Sequence, residues 1–166
     1  MQNKSEDILK KAIILEHKGR AFYESVAKTT ESGAVREIFQ SMAMEEDDHI
    51  RILTEQLKNL SQTGALKAMD MPEKKEEVAI NVLTEKIKGE ISGAGFEAAA
   101  VTAAMSFEKK AVDYYQECAD KADDPEEVKT FKWLADWEKT HMELLAAIDR
   151  ELQEKVWFDQ SFWPIY

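Results

Sequence analysis

Residues 42–53 read MAMEEDDHIRIL, and residues 134–145 read LADWEKTHMELL. In both, apolar residues recur at steps of three and four, the period of one helix face, and on that face an acid is followed three positions later by a histidine. Val35, Phe39, Met42, Glu46, His49 and Leu53 share one face, and Val128, Phe131, Leu134, Glu138, His141, Leu145 and Ile148 share the other. Two helices that turn an acid and an imidazole inward need partners that tolerate both.

The flanking sequence supplies such partners. Helical periodicity runs over about 5–29, with Ser5 a candidate N-cap, and places Leu9, Ala12, Glu16, Gly19, Tyr23 and Val26 on one face. After the polar break TTESG it resumes over about 33–60, which predicts an antiparallel hairpin. A second hairpin is predicted over about 95–121 and 125–155, where Val101, Ala104, Glu108, Ala111, Tyr115 and Cys118 line the first helix. At its turn Asp124 can cap and Pro125 suits the first helical position. Residues 61–94 are longer than a turn between antiparallel neighbours requires, so they are expected to form a crossover to the opposite end of the bundle. The fold class is therefore all-α: a ferritin-like four-helix bundle of two antiparallel hairpins over 1–156, with an aromatic tail over 157–166.

The hairpins are copies in sequence. A shift of 92 positions lays Ala12 on Ala104, Glu16 on Glu108, Tyr23 on Tyr115, Phe39 on Phe131, Glu46 on Glu138 and His49 on His141 without a gap. Two such halves can pack about an approximate twofold axis, which brings equivalent residues together at the centre.

Composition narrows the function. The chain has 166 residues, 44% of them hydrophobic, enough for one domain with a substantial core. A net charge of −11 disfavours nucleic acid and anionic membrane surfaces as partners. The N-terminal MQNKSEDILKK has no signal-type apolar core and no stretch is long enough to span a membrane, so a cytoplasmic location is expected. Cys118 is the single cysteine, which excludes an intrachain disulfide and a four-cysteine metal site.

Four inward carboxylates would repel one another and resist burial unless something neutralised them. Lys and Arg are absent from the four apolar stripes, whereas two divalent cations match the charge, and oxygen with imidazole suits iron or manganese. One Glu from each of two helices, with Glu-x-x-His from each of the other two, is the ligand pattern of ferritin-like dinuclear proteins. The candidate metal ligands are Glu16, Glu46, His49, Glu108, Glu138 and His141.

The segments EHKGRAFY, EEDDH, EKKAVDYY and EKTH resemble the ExxxxxxY and ExxH motifs of the rubrerythrin branch of the ferritin-like superfamily, over roughly residues 5–150. The resemblance implies two iron ions, with manganese or a mixed pair as substitutes. Glu46 and Glu138 would bridge, Glu16 and Glu108 would be terminal ligands, and His49 and His141 would give one nitrogen to each metal. It further implies reduction of hydrogen peroxide or oxygen with electrons from an external donor such as rubredoxin. An iron-handling role, as ferroxidase, store or carrier, is the alternative. Two departures stand out: Ala111 occupies the position of an additional carboxylate, and one cysteine cannot build a rubredoxin domain within these residues.

The remaining expectations concern the surroundings. Tyr23 and Tyr115 lie two turns beyond Glu16 and Glu108, where their hydroxyls could orient a ligating carboxylate. Gly19 and Ala111 could leave room for oxygen or peroxide, or allow close helix packing. His17, Glu45, Asp47 and Asp48 are expected to face water, Cys118 to be a small core residue, and Trp133 and Trp137 to pack against the crossover or a second subunit. The tail, with Trp157, Phe158, Phe162, Trp163 and Tyr166, is expected to dock on its own bundle or on the other chain of a homodimer.

Overall fold

A computed structural model describes residues 2–71, 87, 90 and 95–159. They form four long helices: α1 (Gln2–Thr29), α2 (Gly33–Thr63), α3 (Phe96–Lys121) and α4 (Pro125–Asp159). Helix α1 packs along α2, α3 along α4, and α1 meets α3. The expected all-α bundle of two antiparallel hairpins is present.

Both hairpin turns are closed by their own side chains. Ser32 accepts the Val35 N–H at 3.2 Å to cap α2, and Asp124 accepts the Glu126 and Glu127 N–H groups at 2.8 and 3.2 Å to cap α4. Gly64 ends α2 in the left-handed conformation, φ +80°, which suits a residue without a Cβ.

Three boundaries differ from the sequence reading. Helix α1 begins at Gln2, so Ser5 is an interior residue rather than a cap; α2 runs three residues past Leu60; and α4 continues through Asp159. The residues added to α1 and α2, 2–4 and 61–63, are polar and carry no apolar period, so the points where those two helices fray are not written in their pattern.

The described ends of the connection agree with a crossover. Leu66 is buried with Leu9, Leu60 and Phe131 at one end of the bundle, where Gln56 clamps Lys67 through both backbone groups. Ile87 is buried with Tyr23, Phe39 and Leu145 at the other end, where Glu90 accepts from Ser32 Oγ and Ala34 N. Most of the crossover and the tail residues 160–166 lie outside the described residues. Among the described residues no helix is long and apolar enough to cross a membrane.

The core divides into two apolar clusters, one around Tyr23, Val35, Phe39, Val101 and Ile148, the other around Leu9, Leu53, Tyr115, Phe131 and Leu134. Between them lies a layer of buried acids and histidines. Their placement follows from the heptad-like stripes, since the four acids sit near the middle of their helices.

Candidate metal centre

All six sequence-predicted ligands meet in this layer, each no more than 4% exposed. They form two groups whose ligand atoms lie within 4.8 Å of one another: Glu16, Glu46, His49 and Glu138, and Glu46, Glu108, Glu138 and His141. Glu46 and Glu138 belong to both.

The shared carboxylates divide their oxygens between the groups. His49 Nδ1 lies 3.0 Å from Glu16 Oε2, 3.4 Å from Glu46 Oε2 and 3.0 Å from Glu138 Oε1. His141 Nδ1 lies 3.4 Å from Glu108 Oε1, 3.7 Å from Glu46 Oε1 and 3.1 Å from Glu138 Oε2. Each histidine thus faces one carboxylate of its own and one oxygen from each shared residue.

The outer carboxylates are tied across the bundle. Tyr23 of α1 donates its hydroxyl to Glu108 of α3, and Tyr115 of α3 donates to Glu16 of α1. This reciprocal exchange follows from the repeat, because α1 and α3 run antiparallel and carry the same Glu-to-Tyr spacing. Both tyrosines are fully buried.

The electrostatics of the layer follow from packing four carboxylates together out of water. Burial drives Glu46 well above the ordinary carboxylate range, and the charges of Glu138 and Glu16 add to it. Burial and Glu138 also push Glu108 up to about 7. Burial opposes charge on His49 and His141, yet the surrounding carboxylates outweigh it and hold both imidazoles well above their usual value. Burial would raise Glu138 as well, but the two imidazoles reverse that and keep it below the usual range. The upward shifts all favour added positive charge in the layer, from protons or from a cation.

A divalent cation fits these donors. Among the described residues both oxygens of Glu138 and Nδ1 of His141 are buried without a hydrogen-bond partner, although all lie near the centre of the layer. His141 Nε2 meets Glu45 Oε2 at 2.9 Å. A carboxylate accepts only, so in the neutral ring the proton sits on Nε2 and the Nδ1 lone pair points into the acid layer. These unpaired acceptors, all on α4, face the carboxylates of Glu16, Glu46 and Glu108 from the other three helices, and a metal ion would satisfy them.

A sequence model of the rubrerythrin family matches residues 7–149, a span that holds every one of these side chains. The chain belongs to the rubrerythrin family. No curated protein and no solved structure is significantly similar to it. Ala111, one turn after Glu108, is buried in the apolar cluster that also holds Leu9 and Tyr115.

Among the neighbours, one sits where the sequence did not put it. Glu45, expected in water, is half-buried and takes hydrogen bonds from both His141 Nε2 and Trp137 Nε1, the latter at 2.8 Å. Trp133 and Trp137 lie in T-shaped contact with His49, with ring centroids 5.4 and 5.5 Å away, and most of the crossover they were expected to pack against lies outside the described residues. Gly19 opens no passage: a Cβ there would stand 3.0 Å from the Phe107 ring and 3.5 Å from the Glu46 carboxylate, so the position serves close packing. His17, Asp47 and Asp48 are exposed, and Cys118 is buried.

Proposed function

We propose that this rubrerythrin-family chain is a non-haem diiron oxidoreductase that reduces hydrogen peroxide or oxygen with electrons from an external carrier such as rubredoxin. The observation that supports it most is the pair of Glu and His groups joined through Glu46 and Glu138, which suits two cations sharing two carboxylates. Glu16 and Glu108 would be the outer ligands, and His49 and His141 would each give one nitrogen. Oxygen and imidazole donors suit iron and manganese alike, and the family favours iron.

Ferrous ions held here would supply electrons to cleave an oxygen–oxygen bond. The chain's own part is to fix the donors and keep bulk water away. The Tyr115 hydroxyl occupies one oxygen of Glu16 and leaves Oε2 facing the centre, while Tyr23 steadies Glu108. Burial first, and then the charge of Glu108, raises the Tyr23 hydroxyl well above its ordinary value, so it remains a hydrogen-bond donor. Apolar clusters on both sides close the layer along the bundle axis.

The direct test is anaerobic stopped-flow mixing of the ferrous-loaded protein with hydrogen peroxide. Oxidation faster than that of free ferrous ion in the same buffer is expected; equal rates would reject the reductase reading. One observation favours iron handling instead, the apolar Ala111 where the family's extra carboxylate would stand. A mineral-storing shell would elute from size-exclusion chromatography as a large oligomer, and a dimer would disfavour storage.

A further inference from the structure

The 92-residue repeat that equates the two halves of the metal layer breaks beside the histidines. It lays Glu45 on Trp137 and Ser41 on Trp133. The two imidazoles therefore have different backing. His141 rests its Nε2 on the Glu45 carboxylate at 2.9 Å. His49 stands against Trp133 and Trp137, at interplanar angles of 79° and 90°, and its buried Nε2 has no hydrogen-bond partner among the described residues.

Glu45 is itself held in place. Its Oε2 accepts the Trp137 indole N–H at 2.8 Å as well as His141, and Ser41 Oγ approaches Oε1 at 3.5 Å. Trp137 thus performs two tasks: it walls one histidine and anchors the carboxylate that supports the other. A carboxylate on the far nitrogen of a ligating histidine fixes its tautomer and ring orientation and makes the near nitrogen a better donor. An indole wall does neither, and leaves the His49 Nε2–H facing aromatic rings, a weak substitute for an acceptor.

We propose that the two metal positions are inequivalent, with Glu45 a positioning residue that makes the Glu108/His141 position bind a divalent cation more tightly than the Glu16/His49 position. The proposal rests on the dinuclear reading of the layer and goes beyond it, because the six ligands alone are symmetric. Its consequence is ordered loading: the first cation enters beside His141, and the position beside His49 is the one that exchanges.

Anaerobic calorimetric titration of the metal-free full chain with cobalt(II) tests it. Two steps of unequal affinity are expected. Glu45→Ala weakens the tighter step about 10- to 100-fold and leaves the weaker one within error, the size expected for losing such a partner. Glu45→Gln, which keeps an oxygen for His141 Nε2 but not the charge, falls between, a graded rescue that general damage to the fold would not produce. His141→Ala removes the tighter step and His49→Ala the weaker.

The outcomes separate the proposal from the reading beneath it. Two ions bound in a single step of equal affinity, or a Glu45→Ala protein with both steps unchanged or equally weakened, overturns the inequivalence and leaves the dinuclear site standing. Loss of the tighter step in His49→Ala reverses the assignment and overturns it too. Absence of cobalt uptake by the unaltered chain overturns both.

Discussion

Replacing Glu46 by Gln is expected to strip both cations from the protein while leaving the metal-free fold as stable as before, or more so. Glu46 gives one oxygen to each histidine group, so its loss removes a donor from both positions at once. In the metal-free state the same carboxylate is the one most opposed by its surroundings: it is buried and sits between the charges of Glu138 and Glu16. An amide of the same shape ends that opposition. Glu138→Gln is expected to lose the metals too, but for the opposite metal-free result. Glu138 is the carboxylate that both imidazoles hold ionised. Removing one partner from such a buried arrangement costs about 3–5 kcal/mol. Metal analysis of the two variants, with thermal melts in chelator, separates these effects. Retention of one tightly held ion in Glu46→Gln, or a strongly lowered melting temperature in chelator, would count against a shared role for this residue.

The second large effect is that of metal on stability. A ligand present at a thousandfold excess over its Kd stabilises the folded state by about 4 kcal/mol per site. For a domain of this size, 1 kcal/mol moves Tm by roughly 2–4 °C, so chelation is expected to lower Tm by roughly 8–16 °C for each site emptied. Differential scanning calorimetry with and without chelator measures this directly. The metal-free protein should still fold, because the apolar clusters flanking the layer do not involve the ligands. Identical melting with and without added metal would mean that nothing binds in the acid layer.

The convergence of the six acids and histidines was legible because the cost of burying a carboxylate makes an acid on an apolar stripe conspicuous. The repeat then supplied the same acid twice. The Tyr23 and Tyr115 contacts were legible for the same reason, being two turns from an acid on the same face. Glu45 was not. It precedes Glu46 and so points about 100° away around the helix, and its sequence neighbours Asp47 and Asp48 are exposed. What draws it in is the approach of α4, which brings Trp137 and His141 against that flank of α2. The contact of Trp133 and Trp137 with His49 was not legible for the same reason: helix period gives a face, but the neighbour that meets its edge depends on how hairpins dock. One signal was present, since Glu45 and Trp137 occupy equivalent repeat positions with unlike chemistry. Ser5 shows another limit, as a good capping residue is no cap when the helix already runs through it.

The central claim is that this layer holds two metal ions on Glu16, Glu46, His49, Glu108, Glu138 and His141. Anaerobic loading of the metal-free protein with ferrous ion, removal of unbound metal, and measurement of iron per chain test it most directly. Two irons per chain are expected, with none retained when Glu46 and Glu138 are both replaced by Gln. One iron or none in the unaltered chain, or two that persist in the double variant, would contradict it.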